Sequence, residues 1–180
     1  LGLQEKYGKD SVDYTKVFAG QMVEYLVDEL SKQGYHLLIE GTLRTTEVPR
    51  KTSQLLTTKG YQVSLAVIAT KPELSYLSTL IRYEELHAID PSQARATPKE
   101  HHDGIVEHLV DNLRELENDK IFNQVQIYRR DQSCVYDSQV DETSAAVVLH
   151  ECLFGKWNKV EKEMLKLGQE RLRELGGIDK

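Results

Sequence analysis

Cysteine is nearly missing from this chain: only Cys134 and Cys152 occur in 180 residues. Two thiols make neither a disulfide framework nor a four-cysteine zinc site, so a reducing, cytoplasmic setting is the simplest expectation. Proline is scarce as well. Pro49, Pro72, Pro91 and Pro98 are the whole set, and each falls where a helix start or turn is plausible. No run of ~18 apolar residues is present, so no membrane-spanning helix is expected, and no secretory signal is visible. Positive charge is in deficit, with 23 Lys and Arg against 29 Asp and Glu and a net of −6. A broad nucleic-acid surface needs clustered cations, so none is expected. A local basic pocket for one phosphorylated small molecule is compatible with that balance. A glycine-rich phosphate cradle is missing too. The pattern G-x-x-x-x-G-K-[ST] needs a hydroxyl residue after Gly-Lys, but Asp10 follows Gly8-Lys9 and Trp157 follows Gly155-Lys156.

What is present is enough apolar sequence, 39%, for one domain over residues 1–180. Val12, Ala19, Met22, Val23, Leu26, Val27 and Leu30 recur at helical spacing, which predicts an amphipathic helix from about Ser11 to Gln33. Gly34-Tyr35 ends it, and His36-Leu37-Leu38-Ile39 reads as a short buried strand. The unit then repeats. A helix over Val48 to Lys59 ends at Gly60-Tyr61, and Val63 to Ala69 reads as a second buried strand. Alternating helices and buried strands predict a largely parallel sheet with helical crossovers, an α/β fold of three layers. A third helix begins with Pro72 at its first position. Thr97-Pro98-Lys99-Glu100 has the form of a capping box for a fourth, running to about Asn118. Gln124 to Arg129 and Cys134 to Asp137 are further strand candidates. From Thr143 the chain is expected to be helical, with a break near Phe154-Gly155-Lys156.

Ligands of parallel α/β sheets bind beyond the carboxyl ends of the strands. That rule selects Glu40, Thr42 and Arg44, an acceptor, a hydroxyl and a guanidinium suited to a polyhydroxyl ligand bearing phosphate. A solvated loop is the plainer alternative. Arg82 on the third helix and Arg95 before the fourth form a second cationic set, of the kind that stabilises a migrating phosphoryl group. The plainer alternative for Arg82 is an ion pair with Glu85 on its own helix. His101-His102 is poorly spaced for a metal, because helix neighbours do not face each other; both are expected on a helix surface, and both cysteines in packing roles.

Three segments together resemble the zeta toxin family: Gly34-Tyr35-His36-Leu37-Leu38-Ile39-Glu40-Gly41-Thr42-Leu43-Arg44-Thr45-Thr46-Glu47-Val48-Pro49, then Ile81-Arg82-Tyr83-Glu84, then Ala94-Arg95-Ala96-Thr97-Pro98-Lys99. The resemblance implies a P-loop-kinase-like fold. It implies transfer of the ATP γ-phosphate to the 3′-hydroxyl of the N-acetylglucosamine of UDP-N-acetylglucosamine, which blocks cell-wall synthesis. It also implies a small helical antitoxin as partner. By position Glu24, Glu40, Thr42 and Arg44 match sugar-nucleotide residues, and Arg82 and Arg95 match arginines at the transferring phosphate. Glu24 comes from the resemblance alone. In the family the P-loop lysine, the magnesium-binding hydroxyl and the catalytic aspartate lie upstream of the segment resembling Leu3 to Asp10. The chain, which opens on Leu1, is therefore expected to be the C-terminal part of the family domain, without the N-terminal strand and P-loop. Asp10 and Asp13 do not replace the base. ATP and Mg²⁺ are expected to bind productively only to a complete protein. A truncated binding form, or a kinase of another hydroxylated metabolite, is the competing expectation.

Overall fold

The computed structural model describes residues 6, 11–92 and 94–176. Helix α1 spans Ser11–Lys32 and α2 spans Glu47–Thr58; strand β1 is Ser64–Ala69. Helices α3 (Pro72–Ile89) and α4 (Lys99–Asp119) lead to β2 (Gln124–Arg129) and β3 (Cys134–Asp137). Helices α5 (Ala145–Phe154) and α6 (Lys159–Glu174) close the described chain. Among the described residues no helix is long and apolar enough to cross a membrane.

The sheet order is β1-β2-β3. β1 and β2 run parallel, with Ser64 opposite Gln124 and Ala69 opposite Arg129, so α3 and α4 form the crossover that the helix–strand repeat predicts. β3 returns antiparallel through a tight turn in which Gln132 takes φ 69°. The inward residues of the strands, Val67, Val125, Ile127 and Tyr136, pack on Leu113 of α4 and Leu149 of α5. Leu113, Ile127 and Leu149 are completely buried, and full burial of such a side chain stabilises by about 1.5–3 kcal/mol. Glu117 of α4 fixes α5. Its carboxylate accepts from the backbone N–H of Ala145 at 2.6 Å and from the Ser144 hydroxyl at 2.6 Å, filling the unpaired donors of the helix start. Helix α6 approaches α3 closely at Gly168, where a Cβ would lie 2.7 Å from Leu77 Cδ2.

Helix ends follow local chemistry. Gly34 (φ 78°) and Gly60 (φ 83°) terminate α1 and α2 in the left-handed region, as the repeated Gly-Tyr pair predicts. Pro72 opens α3 at its first turn. The Thr97–Glu100 capping box does not form. Pro98, in extended backbone, is the N-cap of α4, so the helix starts too late for Thr97 to reach its free N–H groups. A capping box exists instead at α6. Asn158 accepts from the Glu161 N–H at 2.8 Å, and Glu161 accepts from the Asn158 N–H at 2.8 Å.

Two further expectations are corrected. His36 to Ile39 is not a strand: among the described residues it pairs with no neighbour, and Leu38 is 91% exposed. A strand needs a partner to satisfy its N–H and C=O groups and cover its side chains, and the described residues supply none. The apolar stripe of α1 is uncovered as well, with Met22, Val23 and Leu26 exposed. What holds α1 is polar. Lys59 Nζ donates to Asp28 Oδ1 at 2.6 Å, Asp28 O at 3.0 Å and Ser31 Oγ at 2.7 Å, and the Tyr61 hydroxyl donates to Ser31 O and Tyr35 O.

Candidate functional site

The carboxyl ends of β1 and β2 lie side by side because the strands are parallel and in register. Thr70 and Lys71 leave β1 and lead directly into α3; Arg129 ends β2, and Arg130 and Asp131 leave it. Lys71 is buried, and its ammonium donates to Gly155 O at 2.6 Å and lies 6.0 Å from the centre of the Trp157 ring. Beside it a cleft of ≈ 570 Å³ is lined by Thr70, Ser75, Ser78, Thr79, Arg82 and Arg130, with Ile68, Ile81 and Glu85 at its walls.

The electrostatics of this cleft follow from who is paired with whom. Its single carboxylate, Glu85, accepts from Arg171 of α6 at 3.0 and 3.1 Å. The Glu85–Arg82 pair open to the sequence therefore does not form, because a guanidinium from α6 takes the carboxylate. Arg82 has no hydrogen bond or ion pair among the described residues. Arg130 donates to the hydroxyl of Ser78, a neutral partner. Asp131 turns away and accepts from Ser133 N at 3.0 Å and Ser133 Oγ at 2.5 Å, which hold its carboxyl below the usual carboxylate range. The cleft thus presents two cations and several hydroxyls to solvent, a surface suited to an anion with many acceptors.

The second part of the site is the loop between α1 and α2. Leu43 takes a left-handed φ of 53° and packs against the core, while Thr42 and Arg44 on either side stay exposed. Asn112 of α4 fixes this bend by donating to the carbonyls of Leu43 and Arg44, both at 2.9 Å. Arg50 secures the next turn, donating from Nε to Asp119 Oδ2 at 3.0 Å and pairing with Glu115. The Arg50 guanidinium holds the Glu115 carboxyl below its ordinary value. Glu40, Thr42 and Arg44 are thereby presented from one pinned loop, and none has a side-chain partner among the described residues.

The six sequence candidates do not converge on one cavity. Glu40, Thr42 and Arg44 share the loop, and Arg82 sits in the cleft. Arg95 is exposed between α3 and α4 and does not line that cleft. Glu24, on α1, forms an exposed ion pair with Lys51 of α2 at 3.2 Å. His102 is buried, not on the surface as expected. Its ring lies 5.4 Å from that of Tyr76, and Nδ1 is 3.2 Å from Asp103 Oδ1. Cys152 is packed, whereas Cys134 is exposed. Arg130 and the α3 hydroxyls escaped the sequence reading, although the strand-end rule that chose Glu40 applies equally to β1 and β2. Among the described residues no three His, Cys, Asp or Glu side chains are grouped to hold a metal, and the cleft's carboxylate is committed to Arg171.

The described residues form a mixed α/β fold, a parallel β-pair with a helical crossover and an antiparallel edge strand, with a cationic cleft at the carboxyl end of the pair; the family and structural matches put it in the P-loop-kinase-like class. The family described as Zeta toxin matches residues 1–141, and the chain belongs to that family. It is 70% identical over 175 residues to Toxin PezT of Streptococcus pneumoniae serotype 4, an alignment covering 97% of this chain and 69% of that protein. It is 42% identical over 136 residues to Toxin zeta of Streptococcus pyogenes, covering 76% of this chain and 47% of that protein. A solved structure described as part of the PezAT chromosomal toxin–antitoxin system of Streptococcus pneumoniae superposes with a TM-score of 0.90 at 67% identity, covering 97% of this chain and 69% of that one.

Proposed function

We propose that this chain carries the sugar-nucleotide and phosphate-facing part of a toxin kinase acting in the cytoplasm. In the complete protein the γ-phosphoryl group of ATP passes to the 3′-hydroxyl of the N-acetylglucosamine of UDP-N-acetylglucosamine. The bond from the γ-phosphorus to the bridging oxygen breaks, and a bond to the sugar oxygen forms. The hydroxyl proton goes to the carboxylate that the family resemblance puts upstream of Leu3, and ADP leaves. The phosphorylated sugar nucleotide no longer feeds cell-wall synthesis, and a small helical antitoxin restrains the enzyme. The observation that carries this reading is Arg82, a guanidinium without an acidic partner in a cleft at the carboxyl end of the parallel strands. Such a cation stabilises charge on a migrating phosphoryl group without first having to break an ion pair. Arg44 supplies a fork for a phosphate of the sugar nucleotide, and Thr42 and Glu40 supply hydrogen bonds to its hydroxyls. Glu24 joins them by releasing Lys51, and Arg95 reaches the phosphate from its loop when both substrates are bound.

The first step of this reading is that the chain binds UDP-N-acetylglucosamine through the loop between α1 and α2. Calorimetric titration with UDP-N-acetylglucosamine is the first test. Arg44→Ala and Thr42→Ala should each weaken binding, by about tenfold for the arginine, while Arg82→Ala leaves it within about twofold. In an N-terminally complete form, Arg82→Ala and Arg95→Ala should lower kcat by about 10³-fold or more with little change in KM. Equal turnover after Arg95→Ala would remove that residue from the mechanism. Equal affinity for unrelated hydroxylated metabolites would reassign the substrate.

A further inference from the structure

We infer that Arg171 of α6 is a positioning residue for the transfer: by holding Glu85 it keeps Arg82, on the same helix α3, free to meet the migrating phosphoryl group. The inference rests on the kinase reading and adds to it a residue outside the cleft.

The first ground is a competition. Arg82 and Glu85 stand three apart on α3, a spacing at which opposite charges on a helix pair. Both line the cleft, where such a pair would neutralise the guanidinium. It does not form, because Arg171 takes the carboxylate: its Nε and Nη2 donate to Glu85 Oε1 at 3.1 and 3.0 Å. A guanidinium that engages a carboxylate with two donors outcompetes a pair within one helix. Glu174 fixes the orientation of that guanidinium, accepting from Arg171 Nη1 at 3.3 Å.

The second ground is the register of α6 on α3. Gly168 faces α3 so closely that a Cβ there would lie 2.7 Å from Leu77 Cδ2 and 3.6 Å from Ile81 Cδ1. Arg171 is three residues beyond Gly168 and Glu85 four beyond Ile81, about one turn along each helix. The close packing therefore brings the two side chains together. Leu172, buried beside Arg171, anchors the same turn. At its other end α6 is fixed by the Asn158–Glu161 box, and just before it Gly155 O accepts from buried Lys71, the N-cap of α3, at 2.6 Å.

The third ground is what the pair contributes. It is half exposed, so it adds little to folding. Its effect is on the cleft, because Glu85 is the one carboxylate among the lining residues. Without Arg171 that carboxylate either captures Arg82 or repels an incoming anion, and both oppose the charge that builds on a moving phosphoryl group.

The test uses the N-terminally complete protein, with transfer from ATP to UDP-N-acetylglucosamine as the readout. Arg171→Gln should lower kcat about fivefold, with KM for the sugar nucleotide within about twofold, since the Glu40–Arg44 loop is untouched. Arg171→Lys should lose less, because it keeps a charge on Glu85 without the fork. The deciding variant adds Glu85→Gln to Arg171→Gln. With no carboxylate left to capture Arg82, kcat should return to within about twofold of the unaltered protein. Arg173→Gln, an exposed arginine in the same last turn of α6, should change nothing. Side-chain Nε resonances report the capture itself: Arg82 Nε should shift in Arg171→Gln and return in the double variant. A fall in kcat of less than about twofold after Arg171→Gln, or a loss that Glu85→Gln does not recover, would overturn the inference. The second outcome would reduce Arg171 to a brace between helices. Failure of the kinase reading looks different: the unaltered protein would transfer nothing to the sugar nucleotide, while the Arg82 resonance still decides whether Arg171 keeps that guanidinium free.

Discussion

Leu149 on α5 and Leu38 before α2 are the same side chain in opposite circumstances, 0% and 91% exposed. They represent two regions built by different means. The sheet with α4 and α5 is a packed apolar body. Helix α1 and the loop after it carry comparable apolar residues on the surface and are attached mostly through polar groups, those of Lys59, Tyr61, Asn112 and Arg50, with Leu43 as the loop's apolar contact with the core. A helix satisfies its backbone internally and so appears wherever the pattern is helical, covered or not. A strand is satisfied only by a neighbour, so an equally apolar segment does not become a strand until another lies beside it.

The largest test of this contrast lies in the packed body. Leu113→Ala or Leu149→Ala should lower unfolding free energy by about 2–5 kcal/mol, the loss expected where a leucine leaves a cavity that its neighbours cannot close. Urea denaturation followed by circular dichroism measures it. A loss below about 1 kcal/mol would mean that the α4–α5 contact is loose and the contrast between the regions is overstated.

A smaller effect is expected where the body uses a charge. Glu117→Ala removes the acceptor for Ala145 N–H and the Ser144 hydroxyl, and should cost about 1–2 kcal/mol through loss of the α5 cap. Glu117→Gln should cost less, since its amide oxygen still accepts. Equal losses for the two variants would show that packing of the side chain, not the cap, is what α5 needs.

These positions also show where the sequence was legible. Helical periodicity and the Gly-Tyr pairs predicted α1, α2 and β1 with their ends, because those signals are local. His36 to Ile39 was misread because its pattern states what the segment would bury, not whether a neighbour exists. Thr97 to Glu100 had the right letters for a capping box, but Pro98 set the start of α4. The true box, Asn158 with Glu161, uses an Asn in place of the Ser or Thr of the usual signature. Among the candidate site residues, Arg44 was chosen as a cation after a strand-like run and Arg82 as a cation on the third helix. The place of Arg130 in the cleft was not legible, because it depends on Ser78, 52 residues away, as the free charge of the cleft depends on Glu85 being engaged by Arg171, 86 residues away.

The polar attachment of α1 should respond to acid. Lys32 first, then Lys59, hold the Asp28 carboxyl below its ordinary value of 3.8. A carboxylate with a depressed folded value contributes stability that is fully present above the unfolded pKa and is lost as pH falls through the folded one. Protease cleavage within α1 should therefore accelerate below about pH 4 before the packed body loses its circular dichroism. Asp28→Asn should make that cleavage independent of pH over the same range. Simultaneous loss of both regions would mean that α1 and the body unfold as one unit.

The smallest effect should come from the exposed side chain itself. Leu38→Ser removes an apolar group already in water, so folding stability should change by no more than about 0.5 kcal/mol, as at other surface positions. Solubility should rise, because Leu38, Ile39 and the uncovered α1 stripe form the kind of apolar surface through which copies associate. The comparison with Leu149→Ala then becomes a ratio. Two leucines of one chain, truncated under identical conditions, should differ in effect about as they differ in contact with water. A loss above about 1 kcal/mol at Leu38 would mean that the loop is covered in solution, and the two regions would then be packed alike.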